Sequence, residues 1–347
     1  MKIAVDAMGG DHAPANNIGG VKLALESLSS IERLFLTGDK GKIEAELAQQ
    51  QVPTDKIEIV HTTEVVGMDE SPAKAVRRKK DSSISVAVGL VKEGSSDAVV
   101  SAGNTGAAVA AATLKLRNLP GVERAGIASA LPSEHGVCNL IDAGANVDAK
   151  PRHLLQYAIM GAVYSREIFG VKNPKVGLMS VGSEEAKGNE FTRGVFSMLR
   201  ESQLNFVGNI EGHDLFESGI DVVVCDGFTG NVVLKSCEAT ANILMKWLKA
   251  ELTKTPLRMA GAWIARNAFR TLKKRGSYET IGGSPLLGTN GTTIIAHGSS
   301  SPLAMMNAIR VAAESIEHRV NPHIEEEIAK LAPPEKATPA QEEAVHA

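Results

Sequence analysis

Several signatures of large enzyme classes are missing from this 347-residue chain. It has no GxxxxGK[ST] loop, no GxGxxG after the first strand-like run, no GxSxG motif and no HExxH pair. P-loop kinases, the common dinucleotide-binding enzymes, α/β-hydrolases and HExxH metalloproteases are therefore disfavoured. No Ser-His-Asp or Cys-His spacing marks a covalent nucleophile either.

Cysteine and aromatic residues are scarce. Cys138, Cys225 and Cys237 lie far apart, which predicts buried, reduced thiols and no zinc site. Aromatic residues make up 4% of the chain, too few for a stacking platform for single-stranded nucleic acid. The net charge of −3 gives no general attraction to nucleic acid. We expect no metal, no cofactor and no nucleic-acid partner.

Long apolar segments are absent as well. No run reaches the roughly 18 residues of a membrane span. The N-terminus enters a strand-like run at Lys2–Asp6 without the basic and apolar segments of a signal peptide. The sequence predicts a cytoplasmic protein, which can still lie on a membrane surface.

Short apolar runs alternate with helical patterns along most of the chain. This alternation predicts βαβ units and a mainly parallel sheet, and runs that are apolar throughout indicate strands covered on both faces. The expected fold is a three-layer αβα unit over residues 1–332 with no readable internal boundary. Residues 333–347, rich in Pro, Glu, Ala and Gln, predict a disordered tail.

Six strand-like runs end in short loops of Gly, Asn, Ser, Asp or His. Gly-rich turns and helix N-termini present free backbone N–H groups, which bind anions. In an open α/β sheet such loops gather at the carboxyl ends of the strands. The pattern predicts a site for a small polar or phosphate-bearing substrate, built from residues 6–12, 101–106, 142–146, 182–189, 226–231 and 297–300.

Individual side chains in these loops leave alternatives open. Lys187 can hold a phosphate or an oxyanion, or it can be a surface lysine paired with Glu184 or Glu185. His12 and His297 can act as general acids or bases, or they can stabilise turns. The aspartates that end strands, Asp6, Asp142 and Asp226, can cap helices or orient loops rather than react.

One segment departs from the αβ pattern. From Leu252 to Tyr278 there is no acidic residue but seven basic ones, and residues 254–275 predict an amphipathic helix. Such helices occur at anionic membranes or partner interfaces, although the apolar stripe could also dock on the core. An acidic carrier protein is a further candidate partner. The expected contact residues are Arg258, Trp263, Arg266, Phe269, Arg270, Lys273 and Lys274.

The loops closely resemble those of the bacterial phosphate acyltransferases of phospholipid synthesis. The match is ordered along the chain and extends to about residue 320. The segments that carry it are Asp6–Pro14, Glu70–Pro72, Ser101–Ala107, Asp142–Asn146, Lys187–Glu190, Gly208–Gly212, Asp226–Asn231 and His297–Ser300.

This resemblance implies a reaction and an assembly. Inorganic phosphate would attack an acyl-[acyl carrier protein] thioester, giving acyl phosphate and free carrier protein. The acyl phosphate would then feed a glycerol 3-phosphate acyltransferase. The resemblance also implies a homodimer with peripheral membrane contact and a two-lobed fold like that of phosphotransacetylases and isopropylmalate dehydrogenases.

The resemblance also assigns residues. It places Lys187 and Asn231 at the active site, and we expect them to contact the phosphate or the oxyanion while Ser101–Gly106 cradles the phosphate. Phosphate is already an anionic nucleophile, so positioning and oxyanion stabilisation suffice. The expected substrate contacts are Gly9, Gly10, Asp11, His12, Ser101, Gly103, Asn104, Thr105, Gly106, Asp226, Gly227, Thr229, Gly230, His297, Gly298 and Ser299.

Other functions are weighed against this one. A phosphate acetyl- or butyryltransferase would use a coenzyme A thioester instead of a carrier protein. A decarboxylating dehydrogenase of related fold lacks a convincing set of metal ligands in this sequence. A membrane-recruited scaffold of lipid synthesis would not need so many polar ligand loops.

Overall fold

The computed structural model describes residues 1–276 and 282–331, and within this part it covers only the backbone of residues 273–276. The side chains of Lys273 and Lys274, and the predicted disordered tail at 333–347, lie outside the described residues. The described ranges hold eleven strands and thirteen helices.

The strands form a single sheet in the order β3-β2-β1-β4-β11-β10-β5-β6-β9-β7-β8. Their bounds are β1 (Lys2–Asp6), β2 (Arg33–Gly38), β3 (Ile57–His61), β4 (Ala98–Ser101), β5 (Gly126–Ser133), β6 (Gly136–Ile141), β7 (Lys175–Met179), β8 (Asn205–Ile210), β9 (Val222–Val224), β10 (Ser284–Leu287) and β11 (Thr292–Ile295).

Most of the helices cover the two faces of this sheet. Their bounds are α1 (Ala15–Ser27), α2 (Lys40–Gln49), α3 (Pro72–Arg78), α4 (Ser83–Lys92), α5 (Thr105–Lys115), α6 (Pro151–Phe169), α7 (Glu190–Glu201), α8 (Asp214–Glu217), α9 (Gly227–Leu252), α10 (Pro256–Ile264), α11 (Arg266–Gly276), α12 (Pro302–Glu317) and α13 (Val320–Ile328).

The sheet changes direction near its middle. β3, β2, β1, β4 and β11 are parallel, and so are β6, β9, β7 and β8. Between these halves, β10 is antiparallel to β11 and β5, and β5 is antiparallel to β6. The two parallel halves therefore point in opposite directions. The predicted mainly parallel αβα sheet is confirmed, but the carboxyl ends of its halves lie at opposite edges.

Alternate strand residues supply the core on each face, as expected for a three-layer fold. In β1, Ile3 and Val5 pack in one buried cluster with α1 and α12, whereas Ala4 packs in another with α4 and α5. In the second half, α6, α7 and α13 cover one face. Both faces are covered, which explains why the strands read as continuous apolar runs.

The predicted single helix over residues 254–275 is wrong in one respect. Two helices, α10 and α11, occupy this stretch, and Ala265 lies between them. Thr255 caps α10, since its hydroxyl accepts from the amide of Arg258 at 3.3 Å, and Pro256 takes the first helical position, where proline is favoured. No residue of α10 is buried, so no core packing holds the segment to one straight helix.

Candidate active site

The loop after β1 is organised by a buried aspartate. The carboxylate of Asp6 accepts from the Ser101 hydroxyl at 2.7 Å and from the Met8 amide at 3.3 Å. The Ser101 hydroxyl in turn accepts from the Gly103 amide at 3.1 Å. Burial raises the pKa of Asp6 above its usual value, and these hydrogen bonds oppose the shift. Asp6 therefore joins the loops after β1 and β4 as a positioning group.

Glycine is required where these two loops meet. A Cβ on Gly9 would lie 2.6 Å from the Asp6 carboxylate and 2.7 Å from the Gly103 nitrogen. The contact leaves a cavity of only ≈ 10 Å³ among Asp6, Ser101 and their neighbours, which is room for about one water molecule. A phosphate would therefore have to bind outside this junction.

The loop after β11 joins the same group. Gly298 accepts a backbone hydrogen bond from the Asp11 amide at 2.8 Å, and Gly10 adopts a positive φ of 107° beside it. His12, His297 and Ser299 are exposed, and the His297 ring lies 2.8 Å from the Ser299 hydroxyl. The structure thus brings the three loops of residues 6–12, 101–106 and 297–300 together.

The start of α5 offers backbone donors at this place. Asn104 caps the helix by accepting from the Ala107 amide at 3.0 Å. The next two amides, those of Thr105 and Gly106, have no acceptor among the described residues. Free amides at a helix N-terminus favour an anion, so the role of Ser101–Gly106 in phosphate binding stays a prediction.

A second loop group forms around Asp142 at the end of β6. Its buried carboxylate accepts from the amides of Ile127, Ala145 and Asn146 at 3.0, 2.9 and 2.7 Å. Burial raises the pKa of Asp142, and these hydrogen bonds oppose that shift. Asp142 therefore orients a loop, one of the two roles that its position suggests.

The motif Asp226–Asn231 is helical rather than a loop. Asp226 caps α9 by accepting from the Thr229 amide at 2.9 Å and its hydroxyl at 2.8 Å. α9 begins at Gly227, inside the predicted loop of residues 226–231. The early start follows from this aspartate cap, because it satisfies the first amides of the helix.

Asn231 lies against the loop that Asp142 organises. A Cβ on Gly144 would lie 3.3 Å from the Asn231 Cβ, and Gly144 has a positive φ of 129°. The amide of Gly227 donates to Asn146 O at 2.9 Å. The Asn231 side chain is exposed, so it is available to a ligand beside Gly144.

Lys187 follows β7, the strand next to β9. Its ammonium lies 3.9 Å from a Glu184 carboxylate oxygen, and both side chains are more than half exposed. The Glu184 carbonyl accepts from the Asn209 amide group at 2.9 Å, which ties this loop to the end of β8. Among the described residues, no hydrogen bond or ion pair connects Lys187 with Asn231.

The two loop groups follow strands that point in opposite directions, so the expectation of one shared edge is wrong. A groove along α5 connects them instead. Its volume is ≈ 320 Å³, within the range of about 300–1,000 Å³ for small-molecule sites. Gly106, Val109, Ala110, Thr113 and Leu114 of α5 form its floor, at the spacing of one helix face. Pro72, Ala73, Arg77, Asn118, Arg124, Ala125, Gly144, Ala145 and Asn146 complete the lining.

Comparison with known proteins identifies the family. Residues 1–323 match the family model described as "Fatty acid synthesis protein". A phosphate acyltransferase of Akkermansia muciniphila is 56% identical over 337 residues, covering 95% of this chain and 97% of that protein. One of Desulfitobacterium hafniense is 49% identical and covers 95% and 98%. The chain belongs to this family of acyltransferases. The resemblance read from the loop motifs is confirmed.

Solved structures agree on the fold. A phosphotransacetylase of Streptococcus pyogenes has a TM-score of 0.59 at 18% identity and covers 91% of this chain and 94% of its own. A branched-chain phosphotransacylase of Enterococcus faecalis has a TM-score of 0.56 at 15% identity and covers 92% and 99%. At such identities the likeness concerns the fold alone, and the predicted likeness to phosphotransacetylases is confirmed.

Two cations at the groove were missed in the sequence. Arg77 and Arg124 are exposed and line the groove of the acyltransferase. Arg77 stands in a run of five basic residues within 71–80, a signal that could have been noticed. Arg124 carries no such signal, because only the fold places it opposite α5.

Neither a metal-binding group nor a membrane-spanning helix occurs in the described ranges. No three His, Cys, Asp or Glu side chains come together as a metal-binding group there. None of the helices in the same ranges combines the length and the apolar character that crossing a bilayer requires.

Proposed function

We propose that this acyltransferase uses acyl-[acyl carrier protein] and inorganic phosphate, and that it releases acyl phosphate and free carrier protein. The observation that carries this proposal is the groove along α5, which connects two groups of anion-binding loops. One group provides the free amides of Thr105 and Gly106, and the other provides Asn231 beside Gly144. A thioester in this groove would have donors near both reacting partners.

The proposed chemistry needs no general base. An oxygen of monohydrogen phosphate attacks the thioester carbon and forms the C–O bond. The C–S bond of the tetrahedral intermediate then breaks, and the thiolate takes up the proton that the phosphate brought. Each oxyanion donor can contribute about 2.7–4 kcal/mol to such a step. In this proposal the segment Ser101–Gly106 cradles the phosphate through the free amides of Thr105 and Gly106, outside the closed junction at Ser101 and Gly103, while Asn231 and Lys187 stabilise the charge that develops.

The assay that tests this reaction measures the release of free thiol from purified acyl-[acyl carrier protein]. We expect release only when phosphate is added, and slower reaction with acyl-coenzyme A at equal concentration. Faster reaction with acyl-coenzyme A would favour a phosphate acetyl- or butyryltransferase. Reduction of NAD by the protein would instead indicate a dehydrogenase.

Lys187 provides the sharpest test of the site. Lys187→Ala should lower turnover at least about tenfold with the fold intact, because a donor to phosphate or oxyanion is lost. Lys172→Ala, at another exposed lysine of the same half, is the matched control. Near-normal turnover of Lys187→Ala, with an unchanged circular dichroism spectrum, would remove Lys187 from the mechanism.

The proposal includes peripheral membrane contact through the end of α9 and helices α10 and α11, called here the arm. Trp263 and Ile264 of the arm are 66% and 76% exposed. Arg266 lies over the Trp263 ring at 4.5 Å, and Arg258, Phe269 and Arg270 lie on the same arm. Exposed apolar side chains beside cations suit an anionic bilayer surface.

The proposal also includes a homodimer and a downstream enzyme. Val147, Val181 and Phe228 are exposed on the loops and helix start of the second half, and such apolar side chains are commonly covered in interfaces. A mass measurement in solution, with and without detergent, tests the dimer. Acyl phosphate is a reactive acyl donor, so a glycerol 3-phosphate acyltransferase would consume it.

A further inference from the structure

A second basic surface lies beside the groove, on helix α3. Residues 71–80 contain five cations and no acid. Lys74, Arg77 and Arg78 are exposed and are spaced three and four residues apart, so they share one face of α3. We call these three residues the α3 patch.

The neighbouring carboxylates leave most of this patch unpaired. Glu70 accepts from the Gly67 amide at 2.9 Å and pairs with Lys79, and its pKa is lowered chiefly by the hydrogen bond from Lys79. Arg78 reaches Glu70 at 3.4 Å. The side chains of Lys74 and Arg77 have no hydrogen bond or ion pair with any described residue, although Asp69, five residues before Lys74 in the chain, is exposed.

The α3 patch is held firmly against the candidate phosphate loop. A Cβ on Gly106 would lie 2.5 Å from the Pro72 ring, so the first turns of α3 and α5 are in close contact. The Asn104 side chain donates to Met68 O at 2.9 Å and also approaches the carbonyls of Gly67 and Glu70. α3 therefore keeps a fixed position at the rim of the groove.

The groove beside this patch is mixed in character. Val109, Ala110 and Leu114 supply apolar surface, whereas Asn118 and Arg124 supply polar groups. A fatty chain alone would need only the first kind. A phosphopantetheine group, with two amides and a phosphodiester on an aliphatic skeleton, matches both the apolar and the polar lining.

We propose that the α3 patch is the docking surface for the acidic carrier protein, whose phosphopantetheine group lies in the groove along α5. This inference rests on the proposed function and assigns its protein substrate to a surface other than the arm. Complementary charge brings the carrier to the rim. Arg124 is placed to pair with the phosphodiester, and the groove leads the thioester between the two loop groups.

The docking step is tested with Lys74→Glu/Arg77→Glu. Binding of fluorescently labelled holo-carrier protein should weaken at least about tenfold, and the difference from wild type should shrink in high salt. The KM for acyl-[acyl carrier protein] should rise, while kcat stays within about twofold of the wild-type value. Lys42→Glu/Lys172→Glu, two charge reversals at exposed lysines elsewhere, should leave carrier binding unchanged. Unchanged carrier binding in the α3 variant would overturn the proposal.

The groove is tested separately with Ala110→Phe. This substitution should keep the phosphopantetheine out of the groove, so that thiol release from acyl-[acyl carrier protein] falls at least about tenfold. Carrier protein that lacks the prosthetic group should still bind as tightly as it binds wild type. Thr113→Phe, on the next turn, repeats the test if Ala110→Phe does not fold. Normal turnover in a folded variant of either kind would contradict the placement of the phosphopantetheine in the groove.

Two further outcomes are distinguishable. If wild-type protein releases no thiol from acyl-carrier protein with phosphate, the proposed function fails, and the binding measurement still decides whether the α3 patch takes an acidic protein. If Lys74→Glu/Arg77→Glu loses binding to anionic phosphatidylglycerol vesicles but retains the carrier, the patch is a membrane surface and the inference is wrong.

Discussion

The two ends of helix α9 differ in almost every physical respect. At its start, Gly227 and Gly230 are buried, and Asp226 caps the first turn. Towards its end, Leu244 and Trp247 are 54% and 61% exposed. One end is fixed by packing and hydrogen bonds within the candidate site, and the other continues into the arm.

This contrast separates an end that is packed within the chain from an end that presents apolar side chains to the outside. Buried glycines allow the backbones of α9 and the Asp142 loop to approach closely, as a site with fixed donors requires. Exposed tryptophan and leucine gain free energy only when something covers them. Because α9 is a single helix, it connects the proposed chemistry with the proposed membrane contact.

The strongest effect is expected at the packed end. A Cβ on Gly230 would lie 1.9 Å from the Asp142 carbonyl oxygen, a backbone atom that cannot move aside cheaply. Overpacking typically costs about 1–3 kcal/mol and occasionally more. We expect Gly230→Ala to lower the free energy of unfolding by about 3 kcal/mol and to abolish turnover, as measured by urea denaturation and thiol release.

The matched control is a glycine of the arm. Nothing lies within 4 Å of a Cβ built on Gly261 in α10. Gly261→Ala should therefore raise helix stability by about 0.5–1 kcal/mol, without loss of turnover. If Gly230→Ala and Gly261→Ala destabilised the protein equally, the start of α9 and the arm would be packed alike.

Much of the fold followed from local patterns, whereas its reversal did not. The strand-like run Lys2–Asp6 was predicted correctly because burial on both faces makes such strands continuously apolar. The antiparallel strand β10 has only four residues and includes Pro285, so it carries no strong strand signal. Because β10 is antiparallel to both β11 and β5, these two strands point the same way, and the antiparallel pairing of β5 with β6 is what places the loop groups at opposite edges.

The second effect concerns the exposed end. Trp263→Glu/Ile264→Glu should weaken binding to anionic vesicles about 100-fold or more, since each large apolar side chain contributes about 1.5–3 kcal/mol when buried. Vesicle flotation or light scattering measures this loss, since neither method relies on the fluorescence of the tryptophan that is replaced. Because both side chains are mostly exposed, the free energy of unfolding should stay within about 0.5 kcal/mol of wild type. Full vesicle binding by the variant would exclude the arm as the contact surface.

The candidate site could be predicted in composition but not in assembly. Ser101–Gly106 and Asp226–Asn231 were recognisable as strand-to-helix motifs, because glycine and capping residues have clear local reasons to occur there. Arg124 could not be found, since its place opposite α5 depends on the order of the strands. The Lys187–Glu184 pair, one of the two interpretations that the sequence leaves open, is present in the structure.

The smallest expected effect separates charge from apolar contact on the arm. Arg266→Glu/Arg270→Glu should weaken vesicle binding about 30-fold at low salt, because each basic residue near an anionic surface contributes about 1 kcal/mol. The difference from wild type should diminish above about 0.1 M salt, where the screening length is near 10 Å. Part of the loss passes through Trp263, whose ring Arg266 covers at 4.5 Å. Arg270→Glu alone, which leaves that contact in place, should therefore show the same salt dependence with a smaller loss. A loss that does not depend on salt would mean that these arginines act by holding Trp263 rather than by their charge.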